Sequence, residues 1–348
     1  MSQLVFFIFA LSFSLLINGL FLKFSKTLGL KNSNDQGTVI RWGSTSKPAF
    51  GGMSFYIIFL ASFAIYGSLY NAPIVNPYLL GVLVAASLGF LIGLADDAYN
   101  TKPLLKFVGQ VLCGVILVYT GNYIHIFENN YLNYILTVFW VVGMMNSINM
   151  LDNMDGITTV VSIGSALGVL VLLLITDGGD HFYFWIMLGL VSSLLGFLYY
   201  NWNPSKMYMG DTGSQFLGVL LAAVGIHFYW NNYGAGNYSE WMRIVAPLLA
   251  FLPSIVDTTI VVINRLKKKQ SPFIGGRDHT THHLSYMGLS DRMVAVIFLL
   301  LSLLSVSISV WMLTAKETYQ YYILCIAGVY CVVVFLLLFW VTQRKKEI

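Results

Sequence analysis

Long apolar segments recur along the whole chain and constrain its fold more than any other feature. About eleven of them approach the roughly 20 residues that an α-helix needs to cross a bilayer. Charged residues make up 10% of the sequence and hydrophobic residues 57%. A water-soluble domain carries about 25% charged residues, so these charges are too few to solvate a soluble surface. We therefore predict an all-α integral membrane protein with the lipid bilayer as its main solvent.

We place the predicted spans by the length of each apolar run and by the polar residues that interrupt it. Together they form a single polytopic membrane domain over residues 1–348. The first run follows no basic residue and holds no small-residue cleavage site, so we expect a retained span rather than a signal peptide. The predicted spans are Leu4–Phe24, Gly52–Tyr70, Tyr78–Ala95, Leu104–Tyr119, Leu132–Asn149, Ile157–Ile175, Phe182–Tyr200, Thr212–Trp230, Arg243–Ile263, Met293–Leu313 and Tyr319–Val341.

The positions of lysine and arginine orient these spans, because cytoplasmic loops carry an excess of both. With the N-terminus outside, all but two of the 19 Lys and Arg residues fall on the inner side, the exceptions being Arg243 and Lys316. We therefore predict an outer N-terminus, a cytoplasmic C-terminus and cytoplasmic active-site loops. The net charge of +4 includes no basic stripe interleaved with aromatic residues, so we expect no nucleic-acid partner.

Two groups of acidic residues follow predicted spans on the inner side. Asp96 and Asp97 are adjacent, and adjacent carboxylates at a membrane boundary are tolerated where a cation or a proton compensates their charge. A solvated loop pair is the alternative. Asn149, Asp152 and Asp155 would share one face if the helix continued through them, which suits a metal or nucleobase site. Helix capping explains only one of these three residues.

A third acidic residue, Asp211, stands between Gly210 and Gly213 where the eighth predicted span begins. A helix N-terminus attracts phosphate through its free N–H groups and its dipole, and glycine lets a ligand approach the backbone closely. Asp211 could instead cap its own helix. Both interpretations stay open on the sequence alone.

Basic and histidine residues complete the inner face. Arg277, His279, His282 and His283 lie within seven residues of one loop, a composition that suits a diphosphate or a nucleotide. A zinc site is disfavoured, since no inner loop contains a cysteine. Lys47, just before the second span, is a candidate phosphate contact, although the positive-inside rule alone could account for it.

Taken in order, these motifs resemble those of the polyprenyl-phosphate N-acetylhexosamine-1-phosphate transferases, a family that includes phospho-MurNAc-pentapeptide translocase and the undecaprenyl-phosphate GlcNAc-1-phosphate transferases. The resemblance runs from Pro48–Gly52 through Asp96-Asp97, Asn149–Gly156 and Gly210–Ser214 to the histidines. It implies a multi-span helical protein of the bacterial inner membrane with a cytoplasmic active site and a lipid groove. A homodimer is an open alternative, because the sequence shows no interface.

The resemblance also implies a reaction. A UDP-N-acetylhexosamine would donate its sugar-1-phosphate, GlcNAc-1-phosphate or a relative of it, to undecaprenyl phosphate. UMP would leave, Mg²⁺ or Mn²⁺ would be the cofactor, and the product would begin a lipid-linked cell-envelope glycan. Which sugar and which glycan stay open.

The roles of individual residues follow from the resemblance by position. Asp211 matches the family's metal-binding aspartate, with Asp152 as the second metal residue. Asp97 matches the favoured base. The catalytic set is Asp96, Asp97, Asp152, Asp155 and Asp211, and the substrate-binding set is Lys47, Lys106, Asn149, Arg277, His279, His282 and His283.

Two features temper these expectations. The family's usual His-x-His-His pattern is altered here, because His282 and His283 match its closing pair while His279 is displaced by one residue. A phosphate monoester has its second pKa near 6, so the acceptor is already largely dianionic at pH 7 and gains little from a base at Asp97.

Other functions fit parts of the sequence. A secondary transporter with an acidic cytoplasmic gate would explain many spans and Asp257, an acid two turns inside the ninth predicted span. Against it, nearly all other polar residues cluster on one face. A CDP-alcohol phosphotransferase shares the Asp152-Asn-Met-Asp155-Gly156 pattern, but the Ala-Arg that follows in that family is missing here.

Overall fold

A computed structural model describes residues 2–27, 47–70, 76–176, 181–231, 240–272 and 275–344. This part of the chain is helical and contains no strand. Its helices are α1 (Gln3–Thr27), α2 (Gly51–Tyr70), α3 (Pro77–Tyr99), α4 (Pro103–Tyr119), α5 (Asn130–Leu151), α6 (Ile157–Thr176), α7 (Phe182–Asn201), α8 (Gly210–Gly225, continued as one π-helical turn, Ile226–Trp230), α9 (Glu240–Ala250), α10 (Leu252–Lys267), α11 (Thr280–Tyr286), α12 (Asp291–Thr314) and α13 (Glu317–Gln343).

Nine helices of the described ranges are long and apolar enough to cross a membrane. A tenth span results if α9 and α10 count as one, and α4 is a shorter apolar helix. A helix therefore lies at each of the eleven predicted positions, and the chain is a multi-pass membrane protein. The count of eleven crossings and the orientation stay predictions, and four residues of the charge argument, Lys31, Arg41, Lys345 and Lys346, lie outside the described residues.

The ninth predicted span is not one straight helix, so the prediction of a single segment Arg243–Ile263 is wrong. Its place is taken by α9 and α10, which meet at Phe251 with a bend of 86°. Prolines explain the break, because proline lacks an amide hydrogen and clashes with the preceding turn. Pro247 lies inside α9 and Pro253 in the first turn of α10.

Serine hydroxyls bond backbone carbonyls beside this bend. Ser165 of α6 donates to the carbonyl of Ala250 (3.0 Å), and Ser254 donates to that of Phe251 (2.9 Å). Ser309 of α12 donates to the carbonyl of Ala246 at 3.0 Å, one turn earlier. An unpaired carbonyl in an apolar interior costs several kcal/mol, so these hydroxyls make the bend tolerable among packed helices.

The start of α8 lies at the centre of the polar residues, pressed between α2 and α3. Two glycines allow this close approach. A Cβ atom at Gly93 of α3 would overlap the backbone of Asp211, and one at Gly52 of α2 would overlap that of Gly213. Because these contacts are backbone to backbone, they fix where the Asp211 side chain begins.

Candidate active site

Lys106 of α4 collects three oxygen atoms from three other helices. Its Nζ donates to Asp96 Oδ2 of α3 (2.9 Å), Asp211 Oδ2 of α8 (2.8 Å) and Asn149 Oδ1 of α5 (3.3 Å). We call these four residues the Lys106 network. One ammonium balances two carboxylates that would otherwise repel each other, as adjacent buried charges require.

Further hydrogen bonds set the direction of each group in the Lys106 network. Asn149 Nδ2 donates to Asp211 Oδ1 (2.7 Å) and to Ser214 Oγ (2.9 Å). Asp96 Oδ1 accepts from the backbone N–H of Thr101 (2.9 Å) and from its hydroxyl (2.5 Å). The network is therefore preorganised, with its oxygens fixed before any ligand arrives.

Gln110, one turn further along α4, belongs to a separate and deeper layer. Its amide donates to Gln215 Oε1 (3.0 Å) and exchanges hydrogen bonds with Asn146. The three side chains join α4, α5 and α8 beneath the Lys106 network. They align the helices that carry it.

Asp97 caps the N-terminus of α8. Its Oδ1 accepts from the backbone N–H of Asp211 (3.0 Å), and its Oδ2 accepts from the backbone N–H (2.8 Å) and hydroxyl (2.6 Å) of Thr212. A carboxylate at a helix N-terminus satisfies free N–H groups and complements the helix dipole. In this arrangement Asp97 orients Asp211. Both Asp97 oxygens accept hydrogen bonds from α8, so neither is positioned as a general base.

The same contacts change two interpretations of the α8 N-terminus. The cap is Asp97 and not Asp211, and the two N–H groups that Asp97 holds are the ones a phosphate would have used. Asp211 instead lies in the first turn and turns its carboxylate to Lys106 and Asn149.

The residues between α5 and α6, Asp152–Gly156, form an acidic turn rather than a continued helix. α5 ends at Leu151, and Asp152 is its C-cap residue. The condition for Asn149, Asp152 and Asp155 to share one helical face, a helix that continues through them, is therefore not met. Gly156, at φ +77°, has the positive φ that lets the chain reverse into α6.

Asp155 points away from Asn149, toward Lys47. Its Oδ1 accepts from the hydroxyl of Ser205 (2.7 Å) and its Oδ2 from the Ser205 backbone N–H (2.9 Å). Lys47 Nζ donates to the same hydroxyl (2.9 Å) and lies 3.8 Å from Asp155 Oδ2. Lys47 and Asp155 thus form a second polar cluster, separate from the Lys106 network.

The histidine loop, Gly275–Tyr286, holds the third cluster. Its short helix α11 is absent from the sequence-based expectations. Thr281 Oγ1 donates to Asn153 Oδ1 at 2.6 Å, which ties the loop to the acidic turn. Arg277 is exposed, and the His283 ring packs against Tyr286 with centroids 5.7 Å apart.

His282 is the most enclosed of the three histidines, with 2% of the residue exposed. Burial, together with the nearby His279, lowers the pKa of His282 to about 3 from an ordinary value of 6.5. Its ring is therefore neutral at pH 7. It offers a hydrogen bond to a phosphate rather than a positive charge, and Arg277 is the loop's permanent cation.

His279 pairs with Asp257 of α10, the acid that the sequence left without a role. The two side chains meet at 2.8 Å, between His279 Nδ1 and Asp257 Oδ2. The predicted site residues also leave out Thr101, Ser205 and Ser214, whose partners are 5, 50 and 65 residues away, and the pair Arg265 and Asp278, which are 13 residues apart. No local sequence pattern marks contacts over the longer separations.

The donor atoms of the Lys106 network suit a hard divalent cation. Carboxylate and amide oxygens are the ligands that Mg²⁺ prefers, and it keeps several waters or phosphate oxygens besides. The described residues contain no group of three or more His, Cys, Asp or Glu side chains arranged as a metal site. Asp211, with Asp96 and Asn149 beside it, fits an ion bound through few protein ligands, and Asp152 lies one helical turn after Asn149.

An apolar groove of about 480 Å³ runs along α4 and α5. Its lining includes Phe107, the residue after Lys106, and Val111 and Val115 further along α4. Ile135, Val138 and Phe139 line the α5 side. The lining of the groove is apolar and aromatic, and one of its residues, Phe107, follows Lys106 in the sequence.

Known proteins are similar to this chain over most of its length. Residues 79–229 match the model of glycosyl transferase family 4. The chain is 31% identical over 270 residues to a probable undecaprenyl-phosphate N-acetylglucosaminyl 1-phosphate transferase of Bacillus subtilis, covering 75% of this chain and 72% of that protein. It is 29% identical over 286 residues to a decaprenyl-phosphate N-acetylglucosaminephosphotransferase of Mycobacterium tuberculosis (74% and 70%). It is 27% identical over 304 residues to a phospho-N-acetylmuramoyl-pentapeptide-transferase of Staphylococcus haemolyticus (80% and 88%).

Proposed function

The chain belongs to glycosyl transferase family 4, with the polyprenyl-phosphate N-acetylhexosamine-1-phosphate transferases, and on this premise we propose that it is a Mg²⁺-dependent transferase of the bacterial inner membrane. It moves an N-acetylhexosamine-1-phosphate, GlcNAc-1-phosphate first among the candidates, from a UDP-sugar to undecaprenyl phosphate. UMP is released on the cytoplasmic side, and the product begins a lipid-linked envelope glycan.

The observation that carries this proposal is the Lys106 network. Phosphoryl transfer between two phosphate-bearing substrates needs positive charge held at a fixed place. Lys106 supplies such a charge to Asp96, Asp211 and Asn149. Asp211 and Asp152, the two metal residues that the resemblance implies, would hold a divalent cation beside it. When bound, Mg²⁺ supplies further positive charge that lets the two anionic substrates approach.

In the reaction, an oxygen of the lipid phosphate attacks the sugar-linked phosphorus of the UDP-sugar. The bond from that phosphorus to the bridging oxygen breaks, and UMP leaves with the bonding electrons. Lys106 stabilises the negative charge that develops on the bridging oxygen. No proton needs to be removed from the acceptor near pH 7, which agrees with Asp97 serving as a helix cap.

The groove between α4 and α5 suits the acceptor's hydrocarbon chain. It is lined by apolar side chains, and Phe107 at its α4 end follows Lys106 in the sequence, so we expect a lipid lying in it to hold its phosphate near the Lys106 network. In a bilayer the acceptor's hydrocarbon chain is already out of water, so the groove offers it packing contacts rather than hydrophobic transfer free energy.

The histidine loop and the Lys47 cluster lie on either side of the acidic turn and are the candidates for the nucleotide-sugar. Arg277 is a permanent cation for a diphosphate, and His282 and His283 are hydrogen-bonding rings beside it. Lys47 adds a second positive charge, and its contact with Asp155 holds it beside the acidic turn. We place the donor between these two groups.

The test is UMP release by purified protein in detergent with undecaprenyl phosphate, Mg²⁺ and a panel of UDP-sugars. We expect UMP with one UDP-N-acetylhexosamine, dependent on both lipid and metal, and a matching lipid-diphospho-sugar by mass spectrometry. Asp211→Asn keeps the side-chain volume and should abolish both signals. Absence of UMP with every donor, from protein shown to be folded, would overturn the proposal, and solute uptake without a covalent product would favour a transporter.

A further inference from the structure

Asp257 is fully buried, with 0% of the residue exposed, yet it has three polar contacts within the chain. Its Oδ2 faces His279 Nδ1, as described above. Its Oδ1 accepts from the backbone N–H of Thr280 (2.8 Å) and from the Thr280 hydroxyl (2.5 Å). Both carboxylate oxygens therefore hold the first residues of α11.

A buried carboxylate is expensive to desolvate, and replacing a buried ion pair by an apolar pair of similar volume is often neutral or stabilising. Asp257 therefore calls for a role other than stability. It accepts hydrogen bonds only, so His279 must carry its proton on Nδ1. The imidazole is thereby fixed in both tautomer and direction, as in sites where a carboxylate orients a functional histidine.

Arg265, two turns further along α10, binds Asp278, the loop residue just before His279. Its guanidinium bonds both oxygens of Asp278, from Nε to Oδ2 (2.8 Å) and from the second terminal nitrogen to Oδ1 (2.7 Å). The pKa of Asp278 is lowered, since these bonds outweigh the cost of partial burial. Three consecutive residues, Asp278, His279 and Thr280, are thus held by one helix.

On its other side the loop meets the acidic turn through Thr281 and Asn153. The His279 ring also packs edge-on against that of His282, with centroids 5.6 Å apart. A displacement of His279 would therefore be passed to His282 and to the rest of α11. The position of the histidines relative to the acidic turn depends on the anchor at Asp257.

We propose that Asp257 is a positioning residue for the diphosphate of the nucleotide-sugar donor, acting through His279. This inference rests on the proposed function and deepens it. The proposal predicts different effects on the two substrates. Asp257 orders the groups that receive the donor, whereas it has no hydrogen bond to the Lys106 network and does not line the apolar groove. Its loss should weaken donor binding and leave recognition of the lipid unchanged.

The test compares Asp257→Asn with wild type in two measurements. Asparagine keeps an acceptor for Thr280 but no longer imposes the His279 tautomer. We expect calorimetric binding of UDP, without lipid, to weaken at least tenfold. In the UMP assay the KM for the UDP-sugar should rise at least tenfold, with the KM for undecaprenyl phosphate within twofold of wild type.

Thr259→Val is the matched control. Thr259 is on the same helix and exposed, and its hydroxyl bonds only the Ile255 carbonyl of α10 (2.7 Å). This variant should bind UDP as wild type does. Unchanged UDP affinity in Asp257→Asn, or equal increases in both KM values, would overturn the positioning role.

If Asp257→Asn does not fold, His279→Asn tests the group through which Asp257 is proposed to act. Its Nδ2 can still donate to Asp257, so the anchor persists while the imidazole is lost. UDP binding weakened at least tenfold supports the proposal, and binding equal to wild type overturns it. A wild-type protein that binds UDP but releases no UMP would contradict the proposed reaction and leave the role of Asp257 in nucleotide binding to be decided by the same comparison.

Discussion

The Lys106 network and the histidine loop are both polar clusters on one face of a membrane protein, but they are built differently. In the network four helices each contribute one side chain, and the charges balance one another directly. In the loop the reactive groups are neighbours in sequence, and a single helix, α10, holds them from behind through Asp257 and Arg265. The Lys106 network holds charged groups at fixed positions, which suits catalysis. The contacts of the histidine loop hold a segment in one conformation, which suits ligand binding.

The strongest test of this contrast removes the centre of the Lys106 network. Lys106→Met keeps the length and apolar stem of the side chain but leaves Asp96 and Asp211 without their shared cation. We expect UMP release to fall by about 10²–10³-fold, the loss typical of one preorganised electrostatic group. Lys102→Met, an exposed residue just before α4, is the control and should keep full activity. A loss of less than tenfold in Lys106→Met would show that the network is not the reaction centre.

A second test concerns the packing that the network needs and the loop does not. Gly93→Ala places a methyl group against the backbone of Asp211. We expect a destabilisation of about 1–3 kcal/mol, seen as a lower melting temperature in detergent, together with reduced activity. Gly143→Ala is the matched control, because a Cβ there has no neighbour within 4 Å. Equal melting temperatures for the two variants would contradict the close approach of α3 and α8.

Asp97 gives a third and smaller effect. Asp97→Ala leaves the first N–H groups of α8 without their acceptor and should cost about 1–2 kcal/mol of stability. Asp97→Asn retains an oxygen acceptor and should lose less. Both variants should lose activity, since Asp211 follows the same turn. If alanine and asparagine leave the melting temperature unchanged, Asp97 is not a cap, and a direct role in catalysis returns.

The last effect is in the histidine loop and, unlike the others, it appears only as the pH is lowered. His282 has a lowered pKa in the folded protein, so its contribution to stability is complete above pH 6.5 and is lost as the pH falls toward 3. At pH 5 the penalty is about 2 kcal/mol. The melting temperature of His282→Phe should therefore fall less between pH 7 and pH 5 than that of wild type. Parallel curves would mean that His282 is not buried as a neutral ring.

Much of the fold was predictable, because a run of 20 apolar residues identifies a membrane helix without reference to its neighbours. The bend at Phe251 was not, although Pro247 and Pro253 marked the place. Hydropathy reports whether a segment is apolar, whereas the direction of its axis depends on which helices pack beside it. The short helix α11 was not predicted for a related reason, because its seven residues are stabilised by tertiary contacts rather than by their own sequence.

The site divides in the same way. The sequence indicated Asp96, Asp211, Lys106 and Asn149 as functional, and the structure brings these four together. It could not show that Asp97 caps a helix whose first residue is more than a hundred positions away. Nor could it decide the role of Asp257, because the partner that explains it follows only after a loop. The metal, donor and lipid assignments stay predictions for the experiments above.

The bend of 86° between α9 and α10 also separates distance along the chain from distance along a single helix axis. In a straight span, the seven residues from Ala250 to Asp257 would carry a carboxylate about 10 Å along the direction of α9. After the bend, α10 runs almost at right angles to α9, so those residues advance little along the α9 axis. Asp257 therefore lies to the side of that axis, where His279 and Thr280 of the histidine loop contact it. The binding site of a soluble ligand can therefore be ordered by a side chain that is itself shielded from water.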